Sequence, residues 1–366
     1  MTDPQRAMSA DLGPVLDKAR VIISVGTGGV GKTTTAAALA VEGARRGRRA
    51  AVVTIDPARR LADALGLAGL SDTPSRIDGP WPGELWALML DPKATFDRLI
   101  RTHAQTEAQA TRIEANPLYR NISATLSGTQ EYMAMEQLYA LDADGDFDLI
   151  VVDTPPARHA RDFLDAPGTL TRFLDHRLTR AIVAPSGGLG RIVSSAAQTF
   201  LRTVAVVVGR AVVDDAIAFF EAFEGMEAGF RTRAIAVDAL LGRESTAFVL
   251  VASAQPETVT EARQACEHLA QDGRPVQALI LNRLHPRFGV EPEQLASRTT
   301  NVTPDRLGPL LANLTELEMV ADREEHTTAE LVQMVSPAPV ARVPLFREDV
   351  HDLAGITSVA DCLFPS

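Results

Sequence analysis

The run Gly26-Thr27-Gly28-Gly29-Val30-Gly31-Lys32-Thr33 restricts the fold of this chain more than any other feature. It matches GxxxxGK[ST], and its flanks agree. The apolar run Val21–Val25 precedes it, and the Ala-rich stretch Thr34–Ala44 follows. A loop that wraps phosphate oxygens needs this context: a strand, a glycine turn and a helix. Glycines let backbone N–H groups curl around an oxyanion with no Cβ in the way, and the next helix N-terminus adds partial positive charge. Gly28, Gly29, Val30 and Gly31 are expected to form the cradle. Lys32 would bridge the β- and γ-phosphates, Thr33 would place its hydroxyl on Mg²⁺, and Thr34 would reach toward the α-phosphate.

Further apolar runs follow at Ala50–Ile55, Leu85–Leu90, Asp148–Val152, Ala247–Ala252, Val276–Leu281 and Pro339–Val343. Apolar strands separated by helical stretches predict an α/β fold with a doubly wound, mostly parallel sheet, the architecture of P-loop NTPases. The spacing is uneven. Almost 60 residues separate Leu90 from Asp148, and about 90 separate Pro155 from Thr246, far more than a strand-to-strand crossover uses. These stretches predict a helical insertion subdomain from about residues 92–146 and 160–244. It would sit within a P-loop domain of residues 21–366, after a polar lead-in of residues 1–20. Gly225–Gly242 and Asn301–Gly308 read as connecting segments.

Two strand-end aspartates are candidates for chemistry. Asp153 closes the run DLIVV and is expected to hold a water on Mg²⁺, because ligands of open α/β sheets gather at the carboxyl ends of strands. Asp56 closes the second run. A carboxylate there could orient or deprotonate the attacking water, and Asp-Pro is equally a helix-start signal. Composition removes other classes. With 36 basic and 47 acidic residues the net charge is −11, so no nucleic-acid partner is expected. The two cysteines, Cys266 and Cys362, make no CxxC pair and no disulfide framework. The longest stretch free of Asp, Glu, Lys and Arg is Ser245–Pro256, 12 residues, against the ~20 of a membrane span. The N-terminal residues carry scattered acids and no apolar core, so the expected location is the cytoplasm.

Together GTGGVGKTT, TIDPARRLADALG, DTPPARHARDFL, ILNRLHP and VPLFREDVHDL resemble the arsenite-pump and tail-anchored-protein-targeting ATPases, the ArsA and GET-type branch of the deviant P-loop class. The motifs run from about residue 21 to 353. The resemblance implies a dimeric ATPase using ATP and Mg²⁺. Asp56 would be the water-positioning aspartate of switch I. Asp153 would begin switch II, with His159 coupling phosphate state to the helical part. Asn282 would read the adenine edge, and Pro344, Leu345 and Phe346 would line the base pocket. Glu257 resembles the acid that reaches the partner's nucleotide in trans. The function implied is nucleotide-driven movement of a helical subdomain that energises transport or handles a membrane-protein partner or transmembrane-helix cargo. A membrane partner would recruit the chain peripherally to the inner membrane.

Departures from the family pattern matter. The branch carries a lysine where this chain has Thr27. Such a cation is worth roughly 10³–10⁵ in rate, or 4–7 kcal/mol of barrier, and a threonine cannot supply it. The chain is then a slow homodimer, or the partner of a related subunit that keeps the lysine, or uses another cation such as Arg59 or Arg60. A non-catalytic nucleotide-binding subunit is the alternative. A MinD/ParA-like positioning ATPase is a further one, although the acidic, weakly amphipathic C-terminus argues against its membrane-binding version. Arsenite handling needs a cysteine cluster that is missing here; Cys266 reads as a helix-packing residue. The apolar stretch Phe200–Phe223 reads as a buried helix, with cargo binding as the other use. ATP turnover should be measured for the chain alone, for its mixture with a lysine-bearing relative, and for Thr27→Lys. The unequal pair predicts a gain with the relative, and no gain in either case overturns it.

Overall fold

The computed structural model describes residues 9–55, 60–117, 119–120, 129–154, 210–288 and 308–365. Helix α1 (Gly13–Lys18) leads into β1 (Val21–Gly26), α2 (Lys32–Arg45), β2 (Arg49–Thr54), the short α3 (Arg60–Ala64), β3 (Ser75–Ile77) and β4 (Glu84–Met89). Helices α4 (Pro92–His103), α5 (Glu107–Ala115) and α6 (Thr129–Asp144) precede β5 (Leu149–Asp153). Then come α7 (Arg210–Phe223), α8 (Glu227–Leu241), β6 (Thr246–Ala252), α9 (Pro256–Gln271), β7 (Val276–Leu284), α10 (Gly308–Val335), β8 (Val340–Pro344) and α11 (Leu353–Leu363). The described residues divide into two compact units, with the chain passing between them at Leu90/Asp91, Asp144/Gly145 and Leu241/Gly242.

The first unit carries one eight-stranded sheet in the order β3-β4-β2-β5-β1-β6-β7-β8. Every neighbouring pair is parallel except β3 with β4. Central strands buried on both faces read as unbroken apolar runs, which is why VIISV, DLIVV and AFVLVA were legible as strands to within a residue. Period two still sorts their side chains. Ile22, Val52, Val151, Val249, Val251 and Ile280 join α2 and α11 in one core. Helix α9 packs against β1, β6 and β7 through Val259, Ala262, Cys266 and Leu269, which stand outside that core and cover the other face. The winding is therefore double. From β1 the chain turns to β2 on one side; from β6, on β1's other side, it turns outward to β7. Winding that reverses between adjacent strands opens a crevice at their carboxyl ends.

One edge of the sheet is short and the other is covered. The three-residue β3 is an antiparallel strand that the sequence reading did not contain. At the opposite edge, Ala10 N donates to the Val340 carbonyl at 3.0 Å and Arg342 N donates to Ser9 Oγ at 2.9 Å.

The described part of the second unit is helical. Its core gathers Phe96, Ile100, Ile113, Tyr119, Phe219, Phe223 and Phe230. The Phe223 and Phe230 rings lie 4.8 Å apart, and Phe96 and Tyr119 lie 5.0 Å apart. On α6, buried Glu136 pairs with Arg233 of α8, whose guanidinium lies 4.2 Å from the Tyr139 ring. Desolvation pushes the Glu136 carboxyl up despite that partner. Gly225–Gly242 is not a connecting segment but almost entirely helix α8. Phe230, Ala234, Val237 and Leu241 fall on one helical face and are buried, so packing sets this segment rather than its flanking glycines. Of the apolar 200–223 stretch, residues 200–209 lie outside the described residues. In α7, Phe219, Ala222 and Phe223 are buried while Ala211 and Ala218 are exposed. Among the described residues no helix is long and apolar enough to cross a membrane.

Phe230→Ala should destabilise the second unit by about 3–5 kcal/mol, the usual loss for a deeply buried phenylalanine, as read by denaturant titration.

Candidate nucleotide site

The loop between β1 and α2 is shaped by close approaches that exclude side chains. A Cβ on Gly26 would collide with the Val251 carbonyl of β6, so β1 and β6 come together only around a glycine. Gly31, the N-cap of α2, has φ +94°, and a Cβ there would run into the Asn282 carboxamide. No side chain caps α2 and no acid sits in its first turn, which leaves the helix's positive end to other partners. Lys32 is only 7% exposed, and its ammonium donates to the Thr27 carbonyl at 2.8 Å. The aliphatic stem is thus packed in the loop and the charge is held at the loop's own backbone.

The sheet register brings Asp153 to this loop. Asp153 pairs with Ser24 of β1 and with Thr54 of β2. Its carboxylate is 2% exposed. One oxygen accepts from the Thr33 hydroxyl at 2.6 Å and from the Thr54 hydroxyl at 3.2 Å. Thr154 anchors the strand end by donating to the Ser24 carbonyl at 2.6 Å. Among the described residues, no group of three or more His, Cys, Asp or Glu side chains gathers into a metal cage. One hydroxyl and one carboxylate, both hard oxygen donors, are the partial set with which Mg²⁺ is held when phosphates and waters complete its shell.

Strand β7 supplies the opposite wall. Asn282 Nδ2 donates to the Val30 carbonyl at 2.7 Å, and Asn282 Oδ1 accepts from the Arg283 amide at 3.0 Å. Arg283 reaches the same loop, its Nη1 donating to the Gly29 carbonyl at 3.0 Å. Its φ is +62°, a left-handed conformation that costs a non-glycine residue about 1–2 kcal/mol. No reading of the sequence singled out Arg283; only its place beside Asn282 hinted at it. After it, β7 is pinned to α10. The His285 amide donates to Glu324 at 2.8 Å, and Arg287 pairs with Asp322 at 2.7 Å and Glu325 at 2.6 Å.

Among the described residues, the remaining sequence candidates for the site lie in the loop itself, on α2, at the start of α9 and at the end of β8. Pro344 ends β8, Leu345 N donates to the Leu284 carbonyl at 2.7 Å, and the Leu345 side chain is 47% exposed. Phe346 packs against the sheet core. Glu257 is exposed in the first turn of α9, just past the end of β6. Thr34 is half-buried on α2, and Gly28 and Gly29 are exposed at the loop tip. Thr27 is 2% exposed, and its hydroxyl has no hydrogen-bond partner among the described residues. Asp56, Arg59 and His159 lie outside the described residues; Arg60 opens α3. Cys266 is buried on α9, and burial pushes its thiol up, as a packing residue requires.

The sequence profile of the anion-transporting ATPase family matches residues 19–303. The chain belongs to the ArsA ATPase family. That match spans the loop, Asp153 and Asn282. Among relatives of this ArsA-family chain, the arsenical pump-driving ATPase of Acidiphilium multivorum is 28% identical over 298 residues, 80% of this chain and 44% of that protein. The ATPase GET3 of Podospora anserina is 29% identical over 170 residues, 46% of this chain and 49% of the relative. The putative arsenical pump-driving ATPase 1 of Aquifex aeolicus is 21% identical over 370 residues, 94% of this chain and 78% of the relative. The matches span about half the length of the first two relatives.

Gly26→Ala should lower stability by about 1–3 kcal/mol through overpacking of β1 against β6, measured by thermal unfolding without nucleotide.

Proposed function

We propose that this ArsA-family chain binds ATP with Mg²⁺ at the Gly26–Thr33 loop and hydrolyses it. The observation that carries the reading is the 2.6 Å bond between the Thr33 hydroxyl and the buried Asp153 carboxylate, at the loop whose Thr27 carbonyl holds the ammonium of Lys32. A polar trio of this kind at a helix N-terminus suits a polyphosphate better than any purely structural use.

In this reading Gly28 to Gly31 and Thr34 cradle the phosphates, and Lys32 neutralises charge on the transferring γ-phosphoryl group. Thr33 and Asp153 would hold the ion. When bound, Mg²⁺ supplies further neutralisation of the phosphate oxygens. Asp56 positions the attacking water, so catalysis consists of placement plus electrostatics. Asn282 uses its second amide N–H on the adenine edge, and Pro344, Leu345 and Phe346 flank the base. The γ-phosphate holds the segments at Asp56 and Asp153–His159 and hydrolysis releases them, moving the helical subdomain of about residues 92–146 and 160–244. Glu257 contributes in trans within a homodimer or a pair with a related ATPase subunit. The chain works in the cytoplasm, peripheral to the inner membrane through a membrane partner, and energises transport or handles a membrane protein. Arsenite is not its substrate in this reading: of two cysteines, Cys266 is buried with its thiol pushed up.

Thr27 favours a second reading, a nucleotide-binding subunit without turnover of its own. The side chain at the signature position is both neutral and enclosed. Single-turnover hydrolysis of ATP by the isolated chain separates the two. The ATPase reading expects product formation that falls by at least about 10²-fold in Lys32→Ala, the scale for one lost charge-stabilising donor. Binding of ATP without any product supports the regulatory subunit. No binding of ATP with Mg²⁺ overturns both.

A further inference from the structure

Arg283 combines three observations that a residue merely ending a strand would not need. It is the non-glycine residue with positive φ among the described residues. The β7–β8 ladder loses its regular register between Leu281 and Leu284, bracketing it. Its guanidinium is also brought to the same loop as the side chain before it. In a regular strand, successive side chains point to opposite faces. Here Asn282 and Arg283 bond the carbonyls of successive loop residues, Val30 and Gly29. The left-handed turn at Arg283 is what breaks the alternation.

We propose that Arg283 is a positioning residue for the phosphate loop, acting through the Gly29 carbonyl; this rests on the nucleotide reading above. The physical route is the planar trans peptide. Within one peptide unit the C=O and the N–H point in opposite directions. Pinning the Gly29 carbonyl to Arg283 therefore turns the Val30 N–H away from β7. Pinning the Val30 carbonyl to Asn282 does the same for the Gly31 N–H. Two successive amides are thus set on the loop's other side before an anion arrives, and aligned amides of this sort bind anions. The clamp has a firm base, because the backbone just beyond it is tied to α10 through Glu324, Asp322 and Glu325. Gly29, with φ +79° and an open surrounding, has no side chain of its own to hold that peptide.

The test uses the full chain, a fluorescent ATP analogue with Mg²⁺, and three variants. Arg283→Met keeps the length and removes the donors. Arg283→Gly removes the side chain and also relieves the left-handed backbone. Arg283→Lys restores a cationic donor. The expected result is affinity weakened about tenfold in Met and Gly, the scale of one hydrogen bond, with Lys recovering most of it. The melting temperature without nucleotide should not fall in Arg283→Gly, which separates positioning from stability. Native-like affinity in both Met and Gly overturns the inference while the nucleotide reading stands. A loss that Lys does not recover, or one matched by a lower melting temperature in Gly, also overturns it. No binding by the native chain overturns the nucleotide reading and this inference with it.

Discussion

The bond between Thr33 and Asp153 joins two elements far apart in sequence, the first turn of α2 and the end of β5. It exists only because β1, β2 and β5 are in register, with Ser24 and Thr54 flanking Asp153 on either side. A slip of one residue in β5 would turn the carboxylate to the other face of the sheet. The unbroken apolar packing of the central strands is therefore a condition for this bond. It keeps the Asp153 carboxyl almost fully buried at a place where two hydroxyls bond it.

Glycine has the complementary part on the other wall. β1 meets β6 without a Cβ at Gly26, and α2 begins against Asn282 without a Cβ at Gly31. These absences bring β7 close enough for its side chains to bond loop carbonyls. The loop is thus held from two sides: through side-chain oxygen at Asp153 and through side-chain nitrogen at Asn282 and Arg283. One wall gathers groups suited to a cation, and the other shapes backbone suited to an anion.

The loop and its flanking strands were legible in the sequence because the GxxxxGK[ST] spacing leaves little freedom. Glycines at the turn, a lysine and a threonine at fixed spacing, and an aspartate after an apolar run identify the loop and its facing strand without coordinates. Asn282 entered only through family resemblance, as a reader of the adenine edge, and its bond to the Val30 carbonyl was not foreseen, since a strand-end asparagine alone reads as a turn residue. Arg283 was not legible, because its role comes from a backbone dihedral and a ladder irregularity that no residue type announces. Strand β3 was missed because Ser75, Arg76 and Ile77 are too few to show alternation. Helix α8 was misread because the glycines at its flanks suggested a connector, while the spacing of Phe230, Ala234, Val237 and Leu241 carried the true signal.

The treatment of the sheet margins limits how copies of this chain can associate. Hydrogen-bonding positions on the outer side of β8 are occupied by Ser9 and Ala10, and the far margin ends in a three-residue strand running against its neighbour. Strand addition, in which a second molecule prolongs a β-ladder, finds little template at either margin. Any self-association would then use helix faces or the loops at the strands' carboxyl ends rather than a shared ladder.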